Sequence, residues 1–141
     1  MTEHFFPLIA AGTSMLSAQL LKHAIFLFRG KIKLTAKDLF TAGGMPSTHS
    51  ALVSGLTTAI GLVEGFSSSH FEIALVFSCI VLYDATGIRQ AVAKQATVIN
   101  KLIEKDPQFK CRLSELVGHT PREAIAGVSM GILVTIFLHL L

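Results

Sequence analysis

Two histidines of this chain stand where their surroundings could give them a chemical role, and the first is His49. It follows the run GGMPS at residues 43–47. The two glycines of that run allow a tight turn, and Ser47 can cap the helix that follows. Backbone N–H groups at a helix start favour a bound anion. We therefore expect His49 to stand beside an anion, although an ordinary capped helix with an incidental histidine is the simpler alternative.

The second histidine, His119, precedes the sequence TPRE at residues 120–123. Thr120 as N-cap, proline at the first helical position and Glu123 at the third make a capping box. This local role accounts for Thr120, Pro121 and Glu123 but leaves Gly118 and His119 unexplained. A carboxylate four residues further along the chain could orient its imidazole.

Two pairs of charged residues accompany the histidines. Lys22 and Arg29 are seven residues apart, close to two helical turns, and could grip a phosphate from one helix face. Snorkelling of both side chains at the membrane boundary is the alternative. Asp84 and Arg89 are five residues apart, about 140° around an α-helix, so we expect each to pair with another helix. That pairing could serve a site or only hold the bundle together.

The elements that must position these residues are apolar helices. The 141 residues are 51% hydrophobic and 15% charged, with a mean hydropathy of +0.61, whereas soluble domains carry about 25% charged residues. Crossing a bilayer takes roughly 17–25 apolar helical residues. The stretches that approach this length are Phe5–Phe28, Pro46–Phe66, Phe71–Ile88 and Ala124–Leu141. We predict an all-α, polytopic membrane helical bundle with about four transmembrane helices; a soluble bundle of buried helices is the alternative.

The charged residues predict the orientation of that bundle. All twelve Lys and Arg lie in residues 22–37 or 89–122, and positive loops stay in the cytoplasm. Both termini should therefore lie outside, with the polar clusters at the cytoplasmic face. Apolar residues at helical spacing within residues 92–105 predict a cytoplasmic helical extension of the third helix, which Asp106-Pro107 would end. The length allows a single domain, residues 1–141.

The motifs together resemble the type 2 phosphatidic acid phosphatase superfamily, whose relatives include acid phosphatases and vanadium-dependent haloperoxidases. Its first motif, Lys, six residues, Arg and Pro, matches Lys22 to Arg29, followed here by glycine. Its second, Pro-Ser-Gly-His, matches residues 46–49 with threonine in place of glycine. Its third contains His, three residues and Asp; His119 and Glu123 keep that spacing, but the preceding Ser-Arg element is missing.

A small divergent membrane branch of that superfamily is the closer resemblance. Its motifs Gly-Gly-Met-Pro-Ser, Asp-Ala-x-Gly-x-Arg and Gly-His-Thr-Pro-x-Glu all occur here in the same order. The resemblance covers essentially the whole chain, from Phe5 to Leu141. It implies a metal-independent phosphoric monoester hydrolase that works through a phosphohistidine and needs no cofactor.

By this resemblance the catalytic residues are His119 as nucleophile, Glu123 as its orienting carboxylate, and His49 as the acid that protonates the departing alcohol. A second group would hold the phosphoryl oxygens or anchor the residues that do so. It comprises Lys22, Arg29, Ser47, Thr48, Asp84, Arg89 and Thr120. Arg89 could replace the missing third-motif arginine.

The expected substrate is the phosphate of a phospholipid, with phosphatidylglycerophosphate as the first candidate, at the cytoplasmic leaflet of a bacterial inner membrane. One alternative is a non-catalytic protein that binds anionic lipids, and another is a small transporter subunit that uses Asp84 and the histidines as a proton path. The spacing of acidic residues, histidines and cysteines predicts no metal site. The sequence contains no basic run interleaved with aromatic residues, so we do not expect nucleic-acid binding. A homodimer could help four spans to enclose a head group.

Overall fold

The computed structural model describes residues 5–28, 44–104, 113–115 and 117–141, and those residues form helices and turns without strands. The helices, in chain order, are α1 (Phe6–Phe28), α2 (Thr48–Glu64), α3 (Ser69–Tyr83), a π-helical turn (Asp84–Ile88), α4 (Arg89–Ile103) and α5 (Pro121–His139). The segment from α3 to α4 is one continuous helix, Ser69–Ile103. The prediction of an all-α protein is confirmed.

Two residues in the connection between α2 and α3 determine where these helices end and begin. α2 ends at Gly65, whose φ of +94° lies in the region that favours glycine. Three residues later Ser68 caps α3, because its hydroxyl accepts a hydrogen bond from the N–H of Phe71 at 3.2 Å. This tight connection makes α2 and α3 neighbours at the end of the bundle far from His49.

Small residues allow α2 to pack against α1, α3 and α5. A Cβ on Gly131 of α5 would collide with Ser54 Oγ and the carbonyl oxygen of Ala51, and a Cβ on Gly55 would lie 2.6 Å from Ser14 Oγ. The side chains buried at these contacts are mostly alanine, serine and threonine. Such close contacts between small residues are typical of helices that pack in lipid.

Hydroxyl groups bond the helices to one another inside the bundle. Thr135 Oγ1 on α5 donates to the carbonyl oxygen of Gly55 at 3.3 Å. Thr57 Oγ1 on α2 lies 2.8 Å from Ser78 Oγ on α3, within hydrogen-bond distance. These side chains are buried, so their hydroxyls are satisfied by neighbouring helices, as membrane interiors require.

The large apolar side chains point outward instead. Leu20, Ile73 and Leu133 are each exposed by 67% or more, and exposed apolar surface on this scale indicates contact with lipid. Ser69–Ile103 and Pro121–His139 are both long and apolar enough to cross a membrane. That α1 and the 17-residue α2 also cross stays a prediction.

The predicted helical extension is present as α4. The continuous helix Ser69–Ile103 has 35 residues, about 52 Å at 1.5 Å per residue, which exceeds the roughly 30 Å of a bilayer core. The α4 end therefore extends beyond the hydrocarbon if α3 spans it. Asp106 and Pro107, predicted to end this helix, lie outside the described residues.

Candidate active site

The start of α2 is closed by serine hydroxyls. Ser47 Oγ accepts hydrogen bonds from the N–H of Ser50 at 3.3 Å and from Ser50 Oγ at 2.9 Å. The preceding Gly44 has φ +87°, and a Cβ there would lie 2.5 Å from the ring of Phe26 on α1. The cap predicted at Ser47 is confirmed. The hydroxyl of Ser47 is already hydrogen-bonded within this cap. Thr48, which is half-buried, is the first residue of the helix.

The start of α5 is closed by the predicted capping box. Thr120 Oγ1 accepts from the N–H of Glu123 at 3.4 Å, and Glu123 Oε2 accepts from the N–H of Thr120 at 2.9 Å. The same Oε2 lies 3.5 Å from His119 Nδ1. One carboxylate oxygen therefore closes the helix start and also faces the imidazole, so the capping role and the predicted orienting role are compatible.

The two helix starts lie against each other. The N–H of Ser47 donates to the carbonyl oxygen of Glu123 at 3.1 Å. Gly127 permits this approach, because a Cβ on it would collide with the carbonyl oxygen of Ser47 and with Ser50. The positive ends of two helix dipoles thus adjoin, which makes the place attractive to an anion.

The two histidines are neighbours at this junction. The ring centroids of His49 and His119 lie 6.4 Å apart, with an angle of 58° between the planes. His49 is exposed, whereas His119 is only 3% exposed. Within the described part of the chain, Nδ1 of His119 has no hydrogen-bond partner, because 3.5 Å to Glu123 is too long for a good bond. A buried polar atom without a partner is costly and is typical of functional sites.

Burial lowers the pKa of His119 below its usual value of about 6.5. The positive charge of Lys22 lowers that pKa further, and the carboxylate of Glu123 opposes both effects by raising it. The net direction is downward, so the imidazole is neutral at pH 7. A neutral imidazole is the form that can act as a nucleophile.

Lys22 lies in the site rather than at the lipid boundary. It is 1% exposed on α1, whereas a snorkelling lysine keeps its ammonium group in water. Its charge acts on Glu123, His49 and His119. The structure therefore supports the prediction that Lys22 belongs with the histidines. Arg29, its predicted companion, lies outside the described residues, as does Gly43 of the turn.

The prediction that Asp84 and Arg89 each pair with another helix is wrong. Arg89 Nε lies 2.7 Å from Asp84 Oδ2, and both side chains are partly exposed. The angle of 140° assumed an α-helix, but these residues bound a π-helical turn in which the N–H of Arg89 donates to the carbonyl oxygen of Asp84. Residues five apart face the same side in such a turn. Both charges still act on His49.

The π-helical turn also holds the segment that contains His119. In an α-helix the carbonyl oxygen of Ala85 would accept from Arg89, but here it accepts from the N–H of His119 at 3.1 Å. Gly118 allows this contact, because a Cβ on it would lie 2.7 Å from the backbone nitrogen of Gln90. The amino-acid sequence did not predict this hydrogen bond between the π-helical turn and His119. The oppositely charged pair five residues apart is the one signal that could have indicated it.

Asn100 makes a second contact that positions the chain near His119, and the sequence did not predict it. Asn100 of α4 is 3% exposed; its Nδ2 donates to the carbonyl oxygen of Leu113 and its Oδ1 accepts from the N–H of Leu113, both at 2.9 Å. Asn100 Nδ2 and Thr97 Oγ1 also donate to the carboxylate of Glu115, at 2.7 and 3.1 Å. These bonds fasten the chain upstream of His119 to α4. Nothing in the sequence marks Asn100 beyond its being a polar residue in an apolar stripe.

The described residues contain no group of three or more His, Cys, Asp and Glu arranged to hold a metal ion. Apart from the Glu123 carboxylate, the groups gathered at the two helix starts are imidazole, ammonium and backbone N–H groups, which suit an anion rather than a cation.

Comparisons with known proteins agree with the resemblance seen in the motifs. The sequence profile of the Divergent PAP2 family matches residues 4–134. The uncharacterized membrane protein YuiD of Bacillus subtilis (strain 168) is 38% identical over 150 residues, which cover 94% of this chain and 93% of the relative. No solved structure matches the chain.

Proposed function

Because the chain belongs to the divergent PAP2 family, we propose that it is a metal-independent phosphatase that hydrolyses a phosphomonoester of a membrane lipid. The observation that supports this most is the meeting of His119, His49 and Lys22 at two adjoining helix starts. These groups supply a nucleophile, an acid and a fixed positive charge, which are the minimum for phosphoryl transfer through an imidazole.

In the first step the neutral imidazole of His119 attacks phosphorus. A P–N bond forms while the P–O bond to the lipid alcohol breaks, and His49 gives its proton to the departing oxygen. The carboxylate of Glu123, 3.5 Å from Nδ1, stabilises the positive charge that develops on the ring. In the second step His49 takes a proton from water, the water oxygen attacks phosphorus, and the P–N bond breaks to release inorganic phosphate.

The transition state of each step spreads negative charge over the phosphoryl oxygens. The ammonium group of Lys22 and the N–H groups at the starts of α2 and α5 are fixed before the substrate arrives, so they stabilise this charge without reorganisation. Arg89 contributes from the π-helical turn, where Asp84 anchors it at 2.7 Å. We expect Arg29 to complete the set of cations.

The substrate class follows from where the site lies. The site is at the end of the bundle that holds Lys22, Arg89 and Arg122 among the described residues, and the positive-inside rule favours the cytoplasm for such an end. We therefore propose that the enzyme acts at the cytoplasmic leaflet of a bacterial inner membrane. Phosphatidylglycerophosphate, a phosphomonoester with two acyl chains, is the first substrate to test.

A protein that only binds anionic lipids is the second candidate, favoured by the buried cation Lys22, which such binding would need. It would not need both histidines. The described helices do not favour the transporter hypothesis. Asp84 pairs with Arg89 at one end of the bundle, and the buried polar groups further along it include the hydroxyls of Ser14, Thr57 and Thr135, which cannot carry the charge of a proton path.

Phosphate release in detergent tests the proposal. Wild-type protein should release phosphate from phosphatidylglycerophosphate in the presence of EDTA, and the double variant His49→Ala/His119→Ala should not. The matched control is His70→Ala/His139→Ala, which removes two histidines at the other end of the bundle and should keep wild-type activity. Release by the His49→Ala/His119→Ala protein at the wild-type rate, or a strict need for added metal, would refute the mechanism.

A further inference from the structure

A groove of about 330 Å³ runs along the bundle surface between the end of α3 and the first turns of α5. Leu82, Tyr83 and Thr86 form one wall, and Ile125 and Val128 belong to the other. The hydroxyl of Thr86 donates to the carbonyl oxygen of Leu82 at 2.7 Å. With that hydroxyl occupied within its own helix, the wall it belongs to offers mainly carbon atoms to an occupant.

One end of this groove adjoins the residues that hold His119. Thr86 follows Ala85, whose carbonyl oxygen accepts the hydrogen bond from His119. Pro121, on the opposite wall, follows the N-cap Thr120 and is two residues from His119. A molecule lying in the groove with a polar end at this level would bring that end to the imidazole.

The other parts of the groove open toward lipid. Its walls belong to Ser69–Ile103 and Pro121–His139, the two helices long and apolar enough to span a membrane. Tyr83 and Ile125 on its rim are 73% and 65% exposed. In a bilayer the solvent at such a surface is hydrocarbon, so an acyl chain can enter the groove without leaving apolar surroundings, and van der Waals contacts with the walls hold it there.

We propose that this groove binds an acyl chain of the lipid whose phosphate is at His119. This inference rests on the proposed function and deepens it. The substrate reaches the site sideways from the bilayer, and the enzyme selects a phosphomonoester that bears a long chain over a water-soluble one. The groove thereby determines specificity, whereas the histidines determine the reaction.

Photo-crosslinking in lipid nanodiscs tests the groove without relying on turnover. The probe is phosphatidic acid with a diazirine in its acyl chain, and the comparison probe is phosphatidylcholine with the same chain. We expect phosphatidic acid to label Tyr83, Ile125 and Val128 more strongly than phosphatidylcholine does. Ser129→Phe, which fills the groove from α5, should abolish that preference. Val76→Phe, which adds the same ring to an exposed position of α3 outside the groove, should keep it.

Hydrolysis then links the groove to the reaction. Wild-type protein should hydrolyse oleoyl lysophosphatidic acid with a much higher kcat/KM than glycerol 3-phosphate. Ser129→Phe should lower kcat/KM for the long-chain substrate by about tenfold, the effect of losing roughly 1.4 kcal/mol of van der Waals contact between the chain and the groove walls. Its activity on glycerol 3-phosphate should not change. Ile125→Ala removes part of a groove wall instead of filling the groove, and we expect it also to lower kcat/KM for the long-chain substrate. Because alanine is smaller than isoleucine, this loss cannot come from a bulky side chain that disturbs folding.

The outcomes separate the two proposals. Preferential labelling of the groove without hydrolysis of either substrate would support the groove and contradict the proposed phosphatase. Labelling spread evenly over the lipid-facing surfaces of α3 and α5, unchanged by Ser129→Phe, would overturn the groove even if the protein is an active phosphatase. Equal kcat/KM for the long-chain and the water-soluble substrates would overturn it as well.

Discussion

Each end of α2 adjoins a histidine paired with a carboxylate. The two pairs contain the same residue types but differ in distance, burial and surroundings. At the far end His70 Nδ1 lies 2.6 Å from Glu64 Oε2, with the two side chains 74% and 40% exposed. At the near end His119 Nδ1 lies 3.5 Å from Glu123 Oε2, with exposures of 4% and 22%. The exposed pair has the shorter distance, yet water screens it and such pairs contribute little.

The surroundings distinguish the buried pair. Lys22 and His49 lie near His119, and the starts of two helices adjoin it. No comparable arrangement surrounds His70 in the described part of the chain, where its neighbours include the apolar residues Ile73 and Phe77 along a second groove. Burial and neighbouring charges, rather than the pairing of imidazole with carboxylate, therefore distinguish the histidine that we propose as the nucleophile.

Removing the imidazole from each pair should give the largest difference between them. His119→Ala should reduce phosphate release to the background rate, because none of the other histidines that the structure describes is buried at the same place. His70→Ala should stay within about twofold of wild type, as expected for an exposed surface position. Steady-state assays of the two purified proteins, with melting temperatures to verify folding, measure this. Equal losses in the two variants would remove the distinction drawn here.

Removing the second imidazole of the site should have the next largest effect. His49→Ala should slow release by roughly 10²–10⁴-fold, the usual contribution of general acid catalysis. The loss should shrink with an aryl phosphate, whose alcohol leaves readily without a proton. A series of phosphomonoesters with leaving groups of different pKa measures the dependence. A loss that is the same for every leaving group would show that His49 is not the acid.

Neutralising the carboxylates should have the smallest effect and should differ in its pH dependence. Glu123→Gln keeps an oxygen for the capping box but removes the charge that stabilises the imidazolium, so we expect a loss of roughly 10–100-fold. Glu64→Gln should change nothing. Protonated His119 cannot attack, so wild-type kcat/KM falls as the pH drops through the lowered pKa of His119. Without Glu123, which raises that pKa, the fall should move to lower pH; a shift to higher pH would contradict the assignment.

The parts of the site predicted from sequence are those set by neighbouring residues. The cap at Ser47 and the capping box at Thr120 and Glu123 depend on contacts within four residues, which a sequence displays directly. The helical character of α4 followed from its apolar spacing. These elements were predicted correctly because one short segment contains both partners of each bond.

The parts that could not be predicted depend on contacts between distant segments. In the π-helical turn the carbonyl oxygen of Ala85 accepts a hydrogen bond from the N–H of His119, 34 positions further along the chain. No periodicity in the sequence indicates this change of hydrogen-bond partner. The same holds for Asn100, whose partners lie in a loop. The pairing predicted for Asp84 and Arg89 was wrong because it required a regular α-helix, whereas the two residues bound a π-helical turn.

Trapping the phosphoenzyme tests whether His119 is the nucleophile. Purified protein in EDTA would be mixed with a phosphomonoester lipid, quenched at alkaline pH, where phosphohistidine survives, and digested for mass spectrometry. We predict phosphate on His119 in wild type, more of it in a His49→Ala protein given an aryl phosphate because water attack is slowed, and none in His119→Ala. Turnover without any phosphorylated His119, or phosphate on another residue at the same level in His119→Ala, would contradict the account.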